Sequence, residues 1–307
     1  MKIACIGVGL IGRSWTVAFT RAGHDVAIWD ANPAAVPAAM KAIYQSLKDL
    51  RETGADLDPD AVFKRVRPVT EMAEALADVD YVQENGPEKL EVRSALFAQM
   101  DKLAPPHAIL ASSSSFYETS LFAEKVAGRH RCLVAHPVNP PHLIPLVEVS
   151  GAPFTDASAV ETTYELMASI GQVPVKILRE VDGFALNRIQ AAVLSECFKL
   201  VADGVISPDD VDRTVQYGLA FRWSVIGPLA AIELNAPAGL EDYIVRGSPF
   251  FRRYVQSSPT VETWETESTS KVVALAATTT EPDVLREKME ERDIGLAKMR
   301  NYVMSKK

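Results

Sequence analysis

The chain is short of the residues that would commit it to several whole classes of protein. It has only three cysteines in 307 residues. Cys5, Cys132 and Cys197 are odd in number, far apart and set in apolar runs, so they suit reduced core thiols and neither a disulfide framework nor a metal-ligand set. Basic residues are outnumbered: 32 Lys and Arg face 40 Asp and Glu, for a net charge of −8. A general nucleic-acid role usually leaves a basic footprint, and this balance argues against one. No apolar run approaches the roughly 20 residues that a membrane span needs. Internal repeats are absent from the sequence, and low complexity is confined to the threonines at 278–280. The first apolar run starts at Lys2, which leaves no room ahead of it for a leader, and a cytoplasmic location is the expectation.

What is present is enough apolar sequence for a substantial core and enough length for about two domains. The most informative stretch is the first thirty residues. Lys2-Ile3-Ala4-Cys5-Ile6 has the unbroken apolar character of a strand buried on both faces. It breaks at Gly7-Val8-Gly9-Leu10-Ile11-Gly12, a helical stretch follows, and a second apolar run ends at Asp30. A dinucleotide gives each part a task. Gly7 makes the tight turn, Gly9 lets the backbone approach a pyrophosphate, and Gly12 lets helix pack on strand. The amides at the helix start, Leu10 and Ile11 included, offer donors to phosphate. Asp30 stands about 20 residues on, where a carboxylate accepts from ribose hydroxyls and repels a 2′-phosphate, so NAD is the expected cofactor.

Downstream, residues 33–67 read as a helical hairpin longer than a crossover requires, either a surface αα-hairpin or a lid over the substrate mouth. Buried strands are predicted at 78–82, 108–111, 132–135, 146–149 and 175–178, separated by helical stretches. That alternation gives an α/β fold, a Rossmann-type doubly wound sheet whose ligands bind beyond the carboxyl ends of the strands. From residue 182 the pattern is helical throughout, with helices predicted over about 184–201, 226–244, 263–277 and 282–303. The first of these is apolar on most faces, which suits a domain or subunit interface. The expected division is a dinucleotide-binding domain over 1–181 and a helical substrate and dimerisation domain over 182–307.

Two groups stand at predicted strand ends: the serines at 112–115, and His136 in Ala135-His136-Pro137-Val138-Asn139-Pro140-Pro141. Serines often end strands by bonding their own backbone, and a histidine can be structural. Glu148 on the neighbouring strand changes the balance for His136, because a carboxylate there would orient the ring and raise its basicity. A buried Glu148 would itself require a partner.

In order along the chain, the glycine fingerprint, the serine run, His-Pro-x-Asn-Pro from His136, Leu146-Val147-Glu148-Val149 and Gly183-Phe184-x-x-Asn187-Arg188 resemble the L-3-hydroxyacyl-CoA dehydrogenase superfamily. The resemblance covers essentially the whole chain. It implies an NAD-dependent oxidoreductase in which His136 takes the hydroxyl proton of the substrate with Glu148 as its partner. It further implies that Ser115 and Asn187 bind the substrate oxygen and that Glu88 lies near the nicotinamide. No metal is implied, because the histidine does the proton work and the cofactor the redox work.

Gly218-Leu219-Ala220-Phe221-Arg222-Trp223 stands where acyl-CoA enzymes of the superfamily carry a Tyr-Pro-x-Gly-Pro type sequence. It resembles the lambda-crystallin branch (L-gulonate 3-dehydrogenase) and its carnitine dehydrogenase neighbours. Their substrates carry a free carboxylate near a 3-hydroxyl, and an arginine fork binds a carboxylate bidentately. Arg222 is therefore a candidate for the substrate carboxylate, the alternative being a pairing with a structural acid. A small hydroxy carboxylate such as L-gulonate is the expected substrate. Carnitine would need an aromatic or acidic pocket, to which Phe116, Tyr117 or Trp223 could contribute. A 3-hydroxyacyl-CoA ranks third: Arg246, Arg252 and Arg253 read as a solvated helix face before a phosphate site. A non-catalytic, crystallin-like role is the reading from another class, and a homodimer is the expected assembly.

Overall fold

Alternating residues of the first strand bury to opposite sides, and this organises the molecule. The computed structural model describes residues 1–257, 259, 261–276 and 281–304. Strand β1 (Lys2–Ile6) is followed by α1 (Leu10–Arg21), β2 (Asp25–Trp29), α2 (Ala35–Glu52), α3 (Pro59–Phe63), β3 (Val66–Pro68) and α4 (Met72–Leu76). Next come β4 (Tyr81–Glu84), α5 (Leu90–Leu103), β5 (Ile109–Ser112), α6 (Thr119–Ala123) and β6 (Cys132–Pro137). Strand β7 (Leu146–Gly151), α7 (Ala157–Ser169) and β8 (Val173–Ile177) complete the sheet, whose order is β3-β2-β1-β4-β5-β6-β7-β8. Neighbours from β3 to β6 pair in parallel, β6 and β7 pair antiparallel, and β7 and β8 pair in parallel.

Ile3 and Cys5 enter one core with Trp15 and Phe19 of α1, Ile43 and Leu47 of α2, and Leu166 of α7. Ala4 and Ile6 enter a second core with Leu76 of α4, Phe97 of α5 and Phe122 of α6. Helices therefore cover both faces of the sheet, as parallel strands require. Each large side chain removed from water contributes about 1.5–3 kcal/mol, so the two layers fix the sheet and the strand ends that carry the site.

The chain divides into two compact units: Met1–Asn187 with Glu290–Met304, and Arg188–Met289. The first unit thus extends past 181 and takes back the end of the last helix. That return has a physical cause. Arg300 donates to the carbonyls of Leu143 (3.3 Å) and Gly171 (2.5 Å) and to Gln172 Oε1 (3.1 Å), while Asn301 donates to Thr53 O (3.0 Å).

The helices that continue the chain are α8 (Leu186–Ala202), α9 (Pro208–Arg213), α10 (Phe221–Trp223), α11 (Pro228–Glu233), α12 (Gly239–Val255), α13 (Thr266–Leu275) and α14 (Pro282–Met304). With the eight strands ahead of them, they make the chain a Rossmann-type α/β sheet followed by a helical region. Four sequence expectations change. The helix expected over 226–244 is two helices, because Pro237 and Gly239 (φ 80°) interrupt it. Strand β3 was not foreseen: it has three residues, ends in proline and lies at the sheet edge, where proline is tolerated. Of α8 only Val201 is fully buried in the chain, although the sequence is apolar on most faces. Cys5 and Cys132 are buried thiols, each pushed up to about 12 by burial, whereas Cys197 is only half-buried. The hairpin after Asp30 contains α2 and α3, and Ala39, Ile43, Leu47 and Leu50 fasten α2 into the first core. Ala277 and the threonines at 278–280 lie outside the described residues.

Candidate active site

The glycine turn has the shape that a dinucleotide requires. Gly7 has φ 94° and donates its N–H to Trp29 O at 2.8 Å, tying the turn to β2. A Cβ there would stand 2.7 Å from the Asn85 carbonyl oxygen, and one on Gly12 would run into the carbonyl of Gly7. A Cβ on Gly9, in contrast, would meet no atom within 4 Å, so that side of the turn is open. Gly9 caps α1 without a side-chain bond, which leaves the first-turn amides, those of Leu10 and Ile11 among them, to an outside acceptor. Asp30 at the end of β2 accepts from Val8 N through Oδ2 (2.8 Å) and from Asn32 N through Oδ1 (2.8 Å). Each carboxylate oxygen keeps a second lone pair for a ribose hydroxyl. These residues fit NAD.

Along the same sheet edge, β6 and β7 place His136 directly opposite Glu148. The pair is buried, at 4% and 1% exposure, and His136 Nδ1 lies 2.8 Å from Glu148 Oε2. An ionised carboxylate only accepts, so Nδ1 carries the proton and Nε2 presents its lone pair. The second oxygen, Oε1, accepts from Ala185 N and Leu186 N, each at 2.9 Å, at the start of α8. Burial works to raise the Glu148 pKa, but the hydrogen bond with His136 and the Leu186 and Ala185 amides outweigh it and hold the carboxyl low. Phe184 packs its ring 5.5 Å from the imidazole, is fully buried and has φ 48°. A bulky residue in the left-handed region is strained and persists only where its surroundings hold it.

The serine run follows β5, and its members have separate partners. Ser112 Oγ donates to Glu84 Oε2 (2.6 Å), while Ser113 Oγ accepts from Trp15 Nε1 and Gln83 Nε2 and donates to Asn85 Oδ1. Ser114 Oγ accepts from Tyr117 N (2.8 Å). Ser115 is held by its backbone: its N–H donates to Glu88 Oε1 and its carbonyl accepts from Asn187 Nδ2, both at 2.8 Å. Its hydroxyl has no partner among the described residues. Glu148 binds the start of α8 and Asn187, one residue on, binds Ser115, so the four expected catalytic residues form one connected chain.

Sequence reasoning missed the layer beneath. Arg93 of α5 is 1% exposed, and its guanidinium reaches Glu84 Oε2 (Nε, 3.1 Å) and Glu88 Oε2 (Nη1, 2.8 Å). Burial works to lower the Arg93 pKa, but the two carboxylates outweigh it and raise it. Breaking so buried a pair costs about 3–5 kcal/mol. A signal was present: Arg93, Phe97 and Met100 form the buried stripe of α5, at the spacing of one helix face. Arg222 belongs to the second unit, where it is exposed and makes no ion pair among the described residues. Arg246 pairs with Asp242, and Arg252 and Arg253 are exposed, which fits a solvated face.

A dinucleotide turn beside a buried His–carboxylate pair defines a dehydrogenase-type site. The NAD binding domain model of 3-hydroxyacyl-CoA dehydrogenase matches residues 2–181, and the C-terminal domain model of the same enzyme matches residues 183–265. The chain belongs to the 3-hydroxyacyl-CoA dehydrogenase family, whose members are NAD-dependent oxidoreductases acting on CH–OH groups. It is 40% identical to the lambda-crystallin homolog of Bos taurus over 273 residues, 88% of this chain and 85% of that one. It is 35% identical to an L-carnitine dehydrogenase of Streptomyces griseus over 238 residues, 78% of this chain and 70% of that one. A solved structure of 5-formyl-3-hydroxy-2-methylpyridine 4-carboxylic acid 5-dehydrogenase, an NAD+ dependent dismutase, superposes with a TM-score of 0.86 at 29% identity, covering 98% of each chain.

Proposed function

We propose that the protein oxidises the secondary 3-hydroxyl of a small hydroxy carboxylate, L-gulonate or a close analogue, to the keto acid. The observation that carries this reading is the buried 2.8 Å contact between His136 and Glu148 at the carboxyl end of the sheet. Bound NAD supplies the hydride acceptor for the carbinol carbon. His136 takes the hydroxyl proton at Nε2, and Glu148 fixes the tautomer that leaves this nitrogen free and stabilises the imidazolium that forms. The Ser115 hydroxyl hydrogen-bonds the substrate oxygen, and Asn187 holds Ser115 in place. Arg222 recognises the carboxylate, a role that suits an exposed arginine with no ion pair among the described residues. Two relatives named for carboxylate-bearing substrates, L-carnitine and a pyridine carboxylic acid, support an acid, while a 37% identical relative is named a 3-hydroxyacyl-CoA dehydrogenase. L-Carnitine is the second reading, supported by the first of these.

The exposed apolar side chains of the helical unit, among them Val245, Phe250, Phe251 and Val255 of α12, support a homodimer.

The test offers L-gulonate, L-carnitine and 3-hydroxybutyryl-CoA in parallel with NAD and follows NADH. The expected result is turnover of L-gulonate, with a raised KM in Arg222→Lys. Turnover of the CoA ester alone would refute the carboxylate reading.

A further inference from the structure

Ser115 is held through Glu88 by a residue, Arg93, whose hydrogen bonds go to Glu84 and Glu88. Glu88 sends one carboxylate oxygen, Oε1, to Ser115 N. Its other oxygen, Oε2, accepts from Arg93 Nη1 and, at 3.3 Å, from Ser114 Oγ. The Glu88 side chain is one-third exposed, so water competes for it, and a flexible carboxylate at such a position would sample several rotamers unless something fixed it. Arg93 is that fixture. Its side chain is 1% exposed, and its Nε is anchored on Glu84, itself fully buried and further held by Ser112 Oγ and by Gly86 N at 2.6 Å. The Tyr117 ring lies 5.6 Å from the guanidinium carbon, which adds a cation–π contact to the fixture.

One planar cation therefore joins two carboxylates with different tasks. Glu84 ends β4 and is bonded to the end of β5, so it reports the position of the sheet. Glu88 lies in the loop before α5 and carries the serine. We infer that Arg93 is a positioning residue for the reaction: by bridging Glu84 and Glu88 it ties Ser115 to the sheet that also carries His136, and so fixes where the Ser115 hydroxyl stands relative to the imidazole. This rests on the proposed role of Ser115 and deepens it. The fork matters as well as the charge. A lysine can satisfy one carboxylate well, but it cannot place two donors in one rigid plane.

The experiment compares Arg93→Met and Arg93→Lys with the wild-type protein. It measures kcat and KM on whichever of L-gulonate, L-carnitine or 3-hydroxybutyryl-CoA is turned over, the dissociation constant of NADH, and amide hydrogen exchange in the peptide covering residues 112–118. Misplacing a reacting group by about 1 Å costs on the order of 100-fold in rate. The expected result is a kcat lowered by about that factor in Arg93→Met, with NADH affinity within about three-fold of wild type. Arg93→Lys is expected to fall between the two, and exchange at 112–118 to quicken in both. Wild-type kcat and unchanged exchange in either folded variant would overturn the inference. So would a collapse of NADH affinity with kcat preserved at saturation, since Arg93 would then act on the cofactor. If Arg93→Met does not fold, Arg93→Lys decides. If none of the three compounds is oxidised, the substrate reading fails by itself, and the exchange at 112–118 still decides whether Arg93 holds the serine.

Discussion

The two compact units bury their polar groups in opposite ways. In the sheet-containing unit several ionisable residues lie inside with partners: Arg93 with Glu84 and Glu88, Arg131 with Asp101, His136 with Glu148. Among the described residues of the helical unit there are short-range surface pairs, such as Arg213 with Asp210 and Arg246 with Asp242, while large apolar side chains face outward. The difference agrees with the role proposed for each part. A buried, satisfied network holds a few atoms in fixed positions, which proton transfer needs. An apolar surface on helices joined by surface pairs worth less than about 1 kcal/mol each is what the proposed homodimer would cover.

The contrast breaks first in the core. Phe97 is fully buried and packs 4.5 Å from the ring of Phe122. Phe97→Ala is expected to destabilise the sheet-containing unit by about 3–5 kcal/mol, read by urea unfolding. A loss below about 1 kcal/mol would mean that the two faces of the sheet are less tightly packed than the structure shows.

A smaller effect comes from pH. Burial, with the nearby charges of Arg21, Arg300 and Arg13, pushes the His142 pKa down to about 3. In the unfolded chain the same group titrates near about 6.5. Between these values the unfolded state binds more protons, so stability is full above about 6.5 and falls as pH drops toward 3, by up to about 1.4 kcal/mol per unit. The depressed carboxyl of Glu148 acts in the same direction, but only as its own lower range is reached. Between pH 6.5 and 5 His24, held low by burial and the amino-terminal charge, adds to the slope, and His142→Gln is expected to reduce that slope without abolishing it. An equal slope in the variant would assign the acid sensitivity elsewhere.

The smallest effect is expected on the outward face. Phe251 is half-exposed, and Phe251→Ala is expected to cost the isolated chain less than about 1 kcal/mol. If α12 lies in a homodimer interface, sedimentation at falling concentration will show the variant dissociating before the wild-type protein. A monomer in both cases would remove the dimer proposal and leave the exposed apolar face without a partner.

Much of the first unit was legible because its signals are local. An apolar strand, a glycine turn and an acidic residue at the next strand end are read within thirty residues, and the strand pairing that joins His136 to Glu148 follows from two adjacent runs. What was hard to read in sequence depended on partners that only the fold brings together. Arg93 shares a helix-face spacing with Phe97 and Met100, but buried arginine is rare without a partner, and its partners Glu84 and Glu88 lie in the preceding strand and loop. The backbone donors of Ala185 and Leu186 to Glu148 carry no side-chain signature. Strand β3 is too short for a period, and the break at Pro237 and Gly239 was hidden by the apolar residues on either side. Arg222 was singled out from its neighbours in sequence, and its role rests on substrate chemistry.

The most direct test of the account is the turnover of His136→Gln, measured beside its affinity for NADH. Glutamine keeps a polar side chain of similar reach but cannot accept a proton at neutral pH. The account predicts a kcat lowered by about 1,000-fold, within the range of general base catalysis, with NADH bound as tightly as by the wild-type protein. Turnover within a few-fold of wild type would contradict it, and the proton would then have to leave by another group.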